Sequence, residues 1–399
     1  MTAIAASVRA ALADAPWLTG PRVRRFAWIF AGLALVTLLG SAWFHTRAGI
    51  TNPAGEYLGA DFINYWAGAH VAAEGHAIRA YDIKGFIAWQ HAHSAANAEF
   101  KWYSYPPTAL FLSLPLASFG FKAGLVAWLL SGWGACFLLL RRILPWRTAL
   151  LAVFAAPASF INALSGQNGQ FSAALLCGGV LLLESNPLIA GLLFGLLCFK
   201  PHLAILVPIA LAAGGYWRAF ASAAVTALSA AGLSLILFGG QTWAAFLHNA
   251  PLNTWLLEND TGLWHRMPTM FSMVRLAGGP ISLAYGLQIV SALAAIFLLV
   301  RIWRGRASMD RKGAILVLAT FLATPYAWDY DLVSLTFVIA WLVLEGLQAG
   351  FRPWEKSVLA LAGTMPLFLS PLGAATHLQI GPLVLWSALL LAMPRRQAP

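Results

Sequence analysis

The chain has 399 residues, 60% of them hydrophobic and 10% charged, with a formal net charge of +11. Soluble domains carry about 25% charged residues, so this composition and the mean hydropathy of +0.73 exclude an ordinary soluble protein and indicate a polytopic membrane protein. The basic residues sit in short clusters between apolar runs (Arg22/Arg24/Arg25, Arg141/Arg142/Arg147, Arg301/Arg304/Arg306/Arg311/Lys312, Arg352/Lys356, Arg395/Arg396), which is the positive-inside pattern and not a nucleic-acid footprint.

Residues 1–20 have no apolar core, so no cleaved signal peptide is expected. Phe26–Phe44 reads as an uncleaved first span leaving a cytoplasmic N-terminus. The apolar runs exceed strand length, which favours helices over a barrel, because backbone groups must be satisfied inside lipid. The first long polar stretch follows at 45–105. Asp61 opens its segment Gly59-Ala60-Asp61-Phe62-Ile63-Asn64-Tyr65-Trp66. A carboxylate at a membrane boundary is costly unless it is solvated, paired or used. Asp61 is either the N-cap of a helix over Phe62–Ala73 or a general base at a cavity mouth. Asn64, one turn on, suits orienting that carboxylate or a substrate hydroxyl. The spacing of Phe62, Tyr65, Trp66, Ala69 and Ala73 predicts a helix lying along the interface. A second surface helix is expected over Ile83–His93, with Asp82 before it as cap or binding residue. Tyr103-Ser104-Tyr105-Pro106-Pro107 closes the loop. It is either a helix start with interfacial tyrosines or, with Lys101, part of a headgroup-sized cavity.

Further spans are expected at Arg147–Leu164, Phe171–Leu183, Ala219–Phe238, Ser282–Val300, Gly313–Thr324, Leu332–Leu347, Ser357–Ser370 and Ile380–Met393. Pro106–Leu140 and Pro187–Gly215 are each long for one crossing and short for two. With both termini cytoplasmic, parity favours one crossing in the former, a hairpin in the latter and about twelve crossings altogether. Gly166-Gln167-Asn168-Gly169-Gln170 either solvates a turn or binds sugar hydroxyls. Lys200-Pro201-His202 interrupts an apolar stretch, as a snorkelling lysine or a cationic site suited to phosphate. A second outer loop, 239–280, carries His265 and Arg266, a solvated pair or a donor fork for phosphate. Asp329-Tyr330-Asp331 opens a span, as helix caps or as a DxD pair. Cys136, Cys177 and Cys198 lie in apolar runs without CxxC spacing, so neither a disulfide framework nor a zinc site is indicated. There is no Walker A loop and no dinucleotide fingerprint, and neither cofactor nor metal is expected.

In this order the motifs Asp61-Phe-Ile-Asn-Tyr-Trp-Ala-Gly, Tyr81-Asp82, Tyr105-Pro106-Pro107, Gly166-Gln-Asn, Pro187-Leu-Ile-Ala-Gly191, Lys200-Pro201 and Thr324-Pro325-Tyr326 resemble glycosyltransferase family 87. These are polyprenyl-phosphate-mannose-dependent mannosyltransferases of the GT-C superfamily. The resemblance implies a single all-α GT-C transmembrane domain over 1–399 and an acidic base in the first outer loop, by position Asp61. It implies an inverting transfer of a hexose such as mannose from a polyprenyl-phosphate sugar to a lipid or envelope-glycan acceptor. Lys200, His202 and Arg266 would meet the donor phosphate; Asn64, Asp82, Tyr105, Gln167, Asn168 and His265 would meet substrate. With both termini cytoplasmic, Asp61, Gln167, Lys200, His265/Arg266 and Asp329/Asp331 all fall on the outer side, and arginine far outnumbers lysine, as in GC-rich bacteria; the expected location is the bacterial inner membrane with the site facing the periplasm. A transporter or flippase of a lipid-linked sugar is the rival, since transporters also use broken helices. The absence of an internal repeat and the asymmetric first loop favour the enzyme.

Overall fold

The computed structural model describes residues 2–47 and 49–394; the Arg395/Arg396 cluster lies outside them. Helices account for the regular structure, and no strand occurs among the described residues. Among the described residues six helices are long and apolar enough to cross a membrane: Gly20–Thr46, Phe121–Leu140, Trp217–Phe238, Ile281–Arg304, Asp329–Ala349 and Glu355–Thr376. The bent pair Trp146–Phe154 and Pro157–Leu164 makes a seventh if it is one span. The bend falls at Ser-free Ala155-Ala156 before Pro157, whose ring cannot continue the preceding helix.

The burial pattern is that of a protein in lipid. Leu228, Ile236, Val36 and Phe26 stand exposed on the Trp217–Phe238 and Gly20–Thr46 helices, where water would penalise them. The Met309–Ala323 helix is the reverse: every residue from Arg311 to Leu322 is buried, so it forms the centre of the bundle.

Side-chain contacts fix the direction of successive helices. Trp128 Nε1 donates to the Gln167 carbonyl, and Gly178 lies against Leu139, so Phe121–Leu140 and Gly169–Leu182 run parallel. The bent pair between them therefore runs back. Gly191 lies against Ala219 and Ser222, and Gly195 against Ala223 and Thr226, so Pro187–Leu196 runs parallel to Trp217–Phe238. A Cβ on Gly191 would sit 2.4 Å from the Ala219 carbonyl oxygen, so only glycine allows this approach. Two parallel neighbours need a return between them. Residues 197–216 supply it with a 3₁₀ turn at Leu197–Phe199, the short helix Pro201–Ala204 and the helix Val207–Ala213. Lys200 stands at the tip. The other ambiguous region divides differently: short turns at Ala109–Ser113 and Leu114–Ser118 precede the single long helix Phe121–Leu140.

One end of the bundle gathers basic residues. There Arg311 pairs with Glu345 and donates to the Ala392 and Met393 carbonyls. The opposite end collects the Gly166 turn, Lys200, Arg266, Asp329, Asp331 and the 49–105 segment. The expectation for the Phe62–Ala73 helix needs correcting. It does not lie on the lipid surface, because Phe62 to Ala69 are all buried in protein. Its side chains pack on every face: Trp66 donates to the Phe119 carbonyl, Phe62 meets Phe121, and Tyr65 stacks on Trp128. Helical spacing of aromatics shows one apolar stripe but says nothing of the small residues Ala67 and Gly68 that let a second face close up. The following helix, Ile83–Ala92, ends one residue short of the expected boundary.

Candidate active site

Asp61 occupies the N-cap position of Phe62–Ala73, yet its side chain makes no capping hydrogen bond. The carboxylate is directed elsewhere. Oδ2 accepts from Gln167 Nε2 at 2.9 Å, and Oδ1 lies 3.2 Å from the Lys101 ammonium. The turn carrying Gln167 is brought there by Gly166, whose left-handed backbone (φ +58°) lies against Gly59 so closely that a Cβ would be 2.4 Å from the Gly59 carbonyl oxygen. The Asp61 amide donates to the Ser165 carbonyl at 3.1 Å, which locks the two segments together.

From Gln167 a continuous set of polar contacts runs inward. The Tyr65 and Tyr105 hydroxyls lie 2.7 Å apart and reach Gln167 Oε1 at 2.6 and 3.2 Å. Asn168 Nδ2 donates to the Tyr65 hydroxyl at 3.0 Å, and Asn168 Oδ1 accepts from Lys200 Nζ at 2.7 Å. Lys200 in turn meets Asp331 Oδ1 at 2.5 Å, with side chains 2% and 0% exposed. Asp331 Oδ2 accepts from the Trp328 amide. Every member is satisfied, as a buried polar network requires. Burial raises both tyrosines well above the ordinary phenol range, so they serve as neutral donors.

A second ion pair lies beside the first. Arg266 grips Asp329 with two parallel bonds of 2.9 Å, Nε to Oδ2 and Nη2 to Oδ1, and its guanidinium lies over the Trp328 ring. Burial pulls against this charge, but Asp329 holds the Arg266 pKa above its usual value, with a smaller contribution from Asp61. Burial likewise opposes the Lys101 ammonium, while Asp61 and Glu99 raise its pKa above the ordinary lysine value.

The site thus has two layers. Asp61, Lys101 and Arg266 keep 24%, 24% and 28% of their side-chain surface exposed. Beneath them Gln167, Asn168, Lys200, Asp329 and Asp331 are buried. Among the residues named from sequence, Asp61, Tyr105, Gln167, Asn168 and Lys200 join one network, and Arg266 stands within electrostatic reach of Asp61. Lys200 is enclosed and neutralised rather than open to a ligand. Asn64 is buried one turn after Asp61, and its Oδ1 has no hydrogen-bond partner among the described residues. His202 meets the Tyr326 ring edge-on, and its buried Nε2 has no partner among the described residues. His265 sits beside Arg266, its Nδ1 3.0 Å from the Ser370 hydroxyl. Asp82 is exposed above Gly85 at the start of Ile83–Ala92 and has no hydrogen bond into the network among the described residues.

Sequence reasoning did not pair the cations with their acids. Asp329-Tyr330-Asp331 reads as caps or a DxD; both carboxylates accept backbone amides, and each also neutralises a cation from a segment distant in sequence. Charges in an apolar chain need opposite charges, and Asp329 and Asp331 were the acids at hand. Tyr65 was also overlooked, assigned to an interfacial stripe.

Several helices expose apolar side chains, with a part-exposed cluster of charged residues at one end, as in a multi-pass membrane protein. The glycosyltransferase family 87 model matches residues 103–325, more than half of the chain, and the chain belongs to that family. It is a glycosyltransferase. No curated protein and no solved structure matches it. The matched segment holds Tyr105, Gln167, Asn168, Lys200 and Arg266, while Asp61 and Lys101 lie before it.

Proposed function

We propose that this glycosyltransferase moves a hexose, mannose by family likeness, from a polyprenyl-phosphate donor to a lipid or envelope-glycan acceptor, with inversion at the anomeric carbon. The observation that carries the reading is the Asp61 carboxylate: part-exposed, not spent on a helix cap, and close enough to Arg266 to influence it. Asp61 takes the proton from the acceptor hydroxyl as its oxygen forms a bond to the anomeric carbon. The bond from that carbon to the phosphate oxygen breaks, and its electron pair leaves on the phosphate. One displacement by one base inverts the centre. Arg266 faces the departing phosphate and stabilises its growing charge. Lys200, neutralised by Asp331, takes no phosphate itself but holds Asn168 and through it Tyr65 beneath the site, with His202 two residues on. Asn64, with its orphaned acceptor, suits a sugar hydroxyl, and Tyr105, Gln167, Asn168 and His265 shape the substrate surface. Asp82, exposed just before Ile83–Ala92, is assigned to the acceptor side.

The reading places one GT-C domain in the bacterial inner membrane with the site on the periplasmic side. About twelve crossings follow if the bent pair, the shorter apolar helices Gly169–Leu182, Pro187–Phe199, Pro201–Ala213 and Gly381–Ala392, and Met309–Ala323 each traverse the bilayer beside the six long helices. The basic clusters gathered at the opposite end support that orientation. The test is purified protein with a panel of polyprenyl-phosphate sugars and acceptor lipids, with products identified by mass. Asp61→Asn is expected to cut transfer by roughly 10²–10⁴-fold, the range of a lost general base, with unfolding temperature little changed. Near wild-type transfer by folded Asp61→Asn removes the base assignment.

A further inference from the structure

Asp61 and its neighbours present a problem for the chemistry proposed above. Oδ1 faces the Lys101 ammonium at 3.2 Å and Oδ2 the Gln167 amide at 2.9 Å. Both carboxylate oxygens are therefore already occupied, whereas an acceptor hydroxyl needs one of them. Gln167 is fixed in the buried network, but Lys101 is not. It lies in the non-helical stretch before Tyr103, keeps 24% of its side chain exposed, and has a second carboxylate, Glu99 Oε2, at 3.0 Å. A lysine is a compact charge on a flexible stem, suited to exchanging partners.

We infer that Lys101 is the exchangeable cation of this site, leaving Asp61 for the phosphate of the incoming donor and so freeing Asp61 Oδ1 for the acceptor hydroxyl. The inference rests on the lipid-phosphate reading. Before donor binding, Lys101 neutralises Asp61 and keeps an uncompensated carboxylate out of a half-buried site. On binding, the phosphate supplies a stronger anionic partner and the ammonium moves over, with Glu99 retaining it near the rim. No covalent bond changes in this step; one ion pair replaces another. Arg266, committed to Asp329 by a two-bond fork, stays where it is. The charged and titratable groups facing Asp61 are Lys101 and Glu99 from its own loop, Arg266 from the 239–280 segment, and the neutral hydroxyls of Tyr65, Tyr105 and Tyr326. Among these cations, Lys101 touches Asp61 and Arg266 acts from further off.

The test is a binding cycle on the full-length protein in nanodiscs. The probe is a short-chain prenyl phosphate, with the matching prenyl alcohol and inorganic phosphate as controls. Lys101→Met is expected to weaken prenyl-phosphate binding about tenfold, the scale of one charge-assisted hydrogen bond. Asp61→Asn is expected to tighten it by a similar factor, because Lys101 is then released. The double variant should match Lys101→Met, since the gain passes through Lys101, and Lys101→Arg should restore most of the affinity. If Lys101→Met does not fold, Lys101→Gln replaces it in the cycle. Lys101 loses its role if Lys101→Met binds as tightly as wild type, or if the Asp61→Asn gain persists without Lys101. Wild-type protein binding prenyl alcohol as well as prenyl phosphate instead overturns the lipid-phosphate reading itself. Inorganic phosphate competing at the prenyl phosphate's own affinity overturns the donor as the natural occupant.

Discussion

Lys200 and Asp331 form an ion pair from which water is excluded, and such a pair is informative when broken. Losing one partner strands a charge in a low-dielectric interior at a cost of about 3–5 kcal/mol, whereas replacing both with apolar groups is often neutral. Lys200→Met alone is therefore expected to lower stability by that amount, and Lys200→Met with Asp331→Leu to recover most of it, in denaturant titrations followed by tryptophan fluorescence. A double variant no more stable than the single would show that the two charges are not coupled. His265 gives the pH dependence. Burial, then Arg266, lowers its pKa below the ordinary histidine value, against smaller opposing effects of Asp329 and Asp260. A depressed folded pKa means that the neutral form suits the fold. Its stabilising contribution is complete above the unfolded value of about 6.5 and is lost as pH falls through the folded value. His265→Gln should flatten the acid side of the melting-temperature profile between pH 7 and 5; an unchanged slope assigns that loss to other groups.

At the scale of elements, the close approach of Pro187–Leu196 to Trp217–Phe238 depends on two glycines a helical turn apart. A Cβ on Gly195 would fall 2.5 Å from Thr226 Cβ and 2.6 Å from the Ala223 carbonyl oxygen. Gly195→Val should cost about 1–3 kcal/mol by overpacking, read as a lower unfolding temperature, and should displace Lys200, which follows on the same stretch. Wild-type stability would mean that the helices can part without loss. Much at this scale was legible in the chain. Proline at 157, 187, 201 and 382 marks helix starts, and long apolar runs mark most of the helices. What periodicity could not reveal was how the polar interruptions meet. Lys200 and Asp331 are 131 residues apart, and Asp61 and Gln167 are 106 apart, so their pairing is a product of tertiary structure alone. The buried Phe62–Ala73 helix was hidden for a related reason: its aromatic stripe suits lipid and protein equally, and only neighbours distant in sequence decide between them.

At the scale of the molecule, the alternation of helix directions can be checked by labelling. In a background with Cys136, Cys177 and Cys198 replaced by alanine, single cysteines at Asn97 and Asn259 should react with an impermeant maleimide on intact cells. Cysteines at Ser185 and Arg306 should react only after permeabilisation. Asn97 and Arg306 reacting from the same side would rule out the proposed orientation. The separation of Lys200 from Asp331 also matters for how the protein is made. The ribosome delivers the lysine to the translocon well before its neutralising acid exists. During that interval the ammonium must remain at the membrane edge, and the 187–213 segment can settle only once the C-terminal third arrives. Chains ended before Asp331 should consequently be cleared by membrane proteases faster in pulse-chase experiments than chains ended just beyond Ala349, and Lys200→Met should narrow that difference.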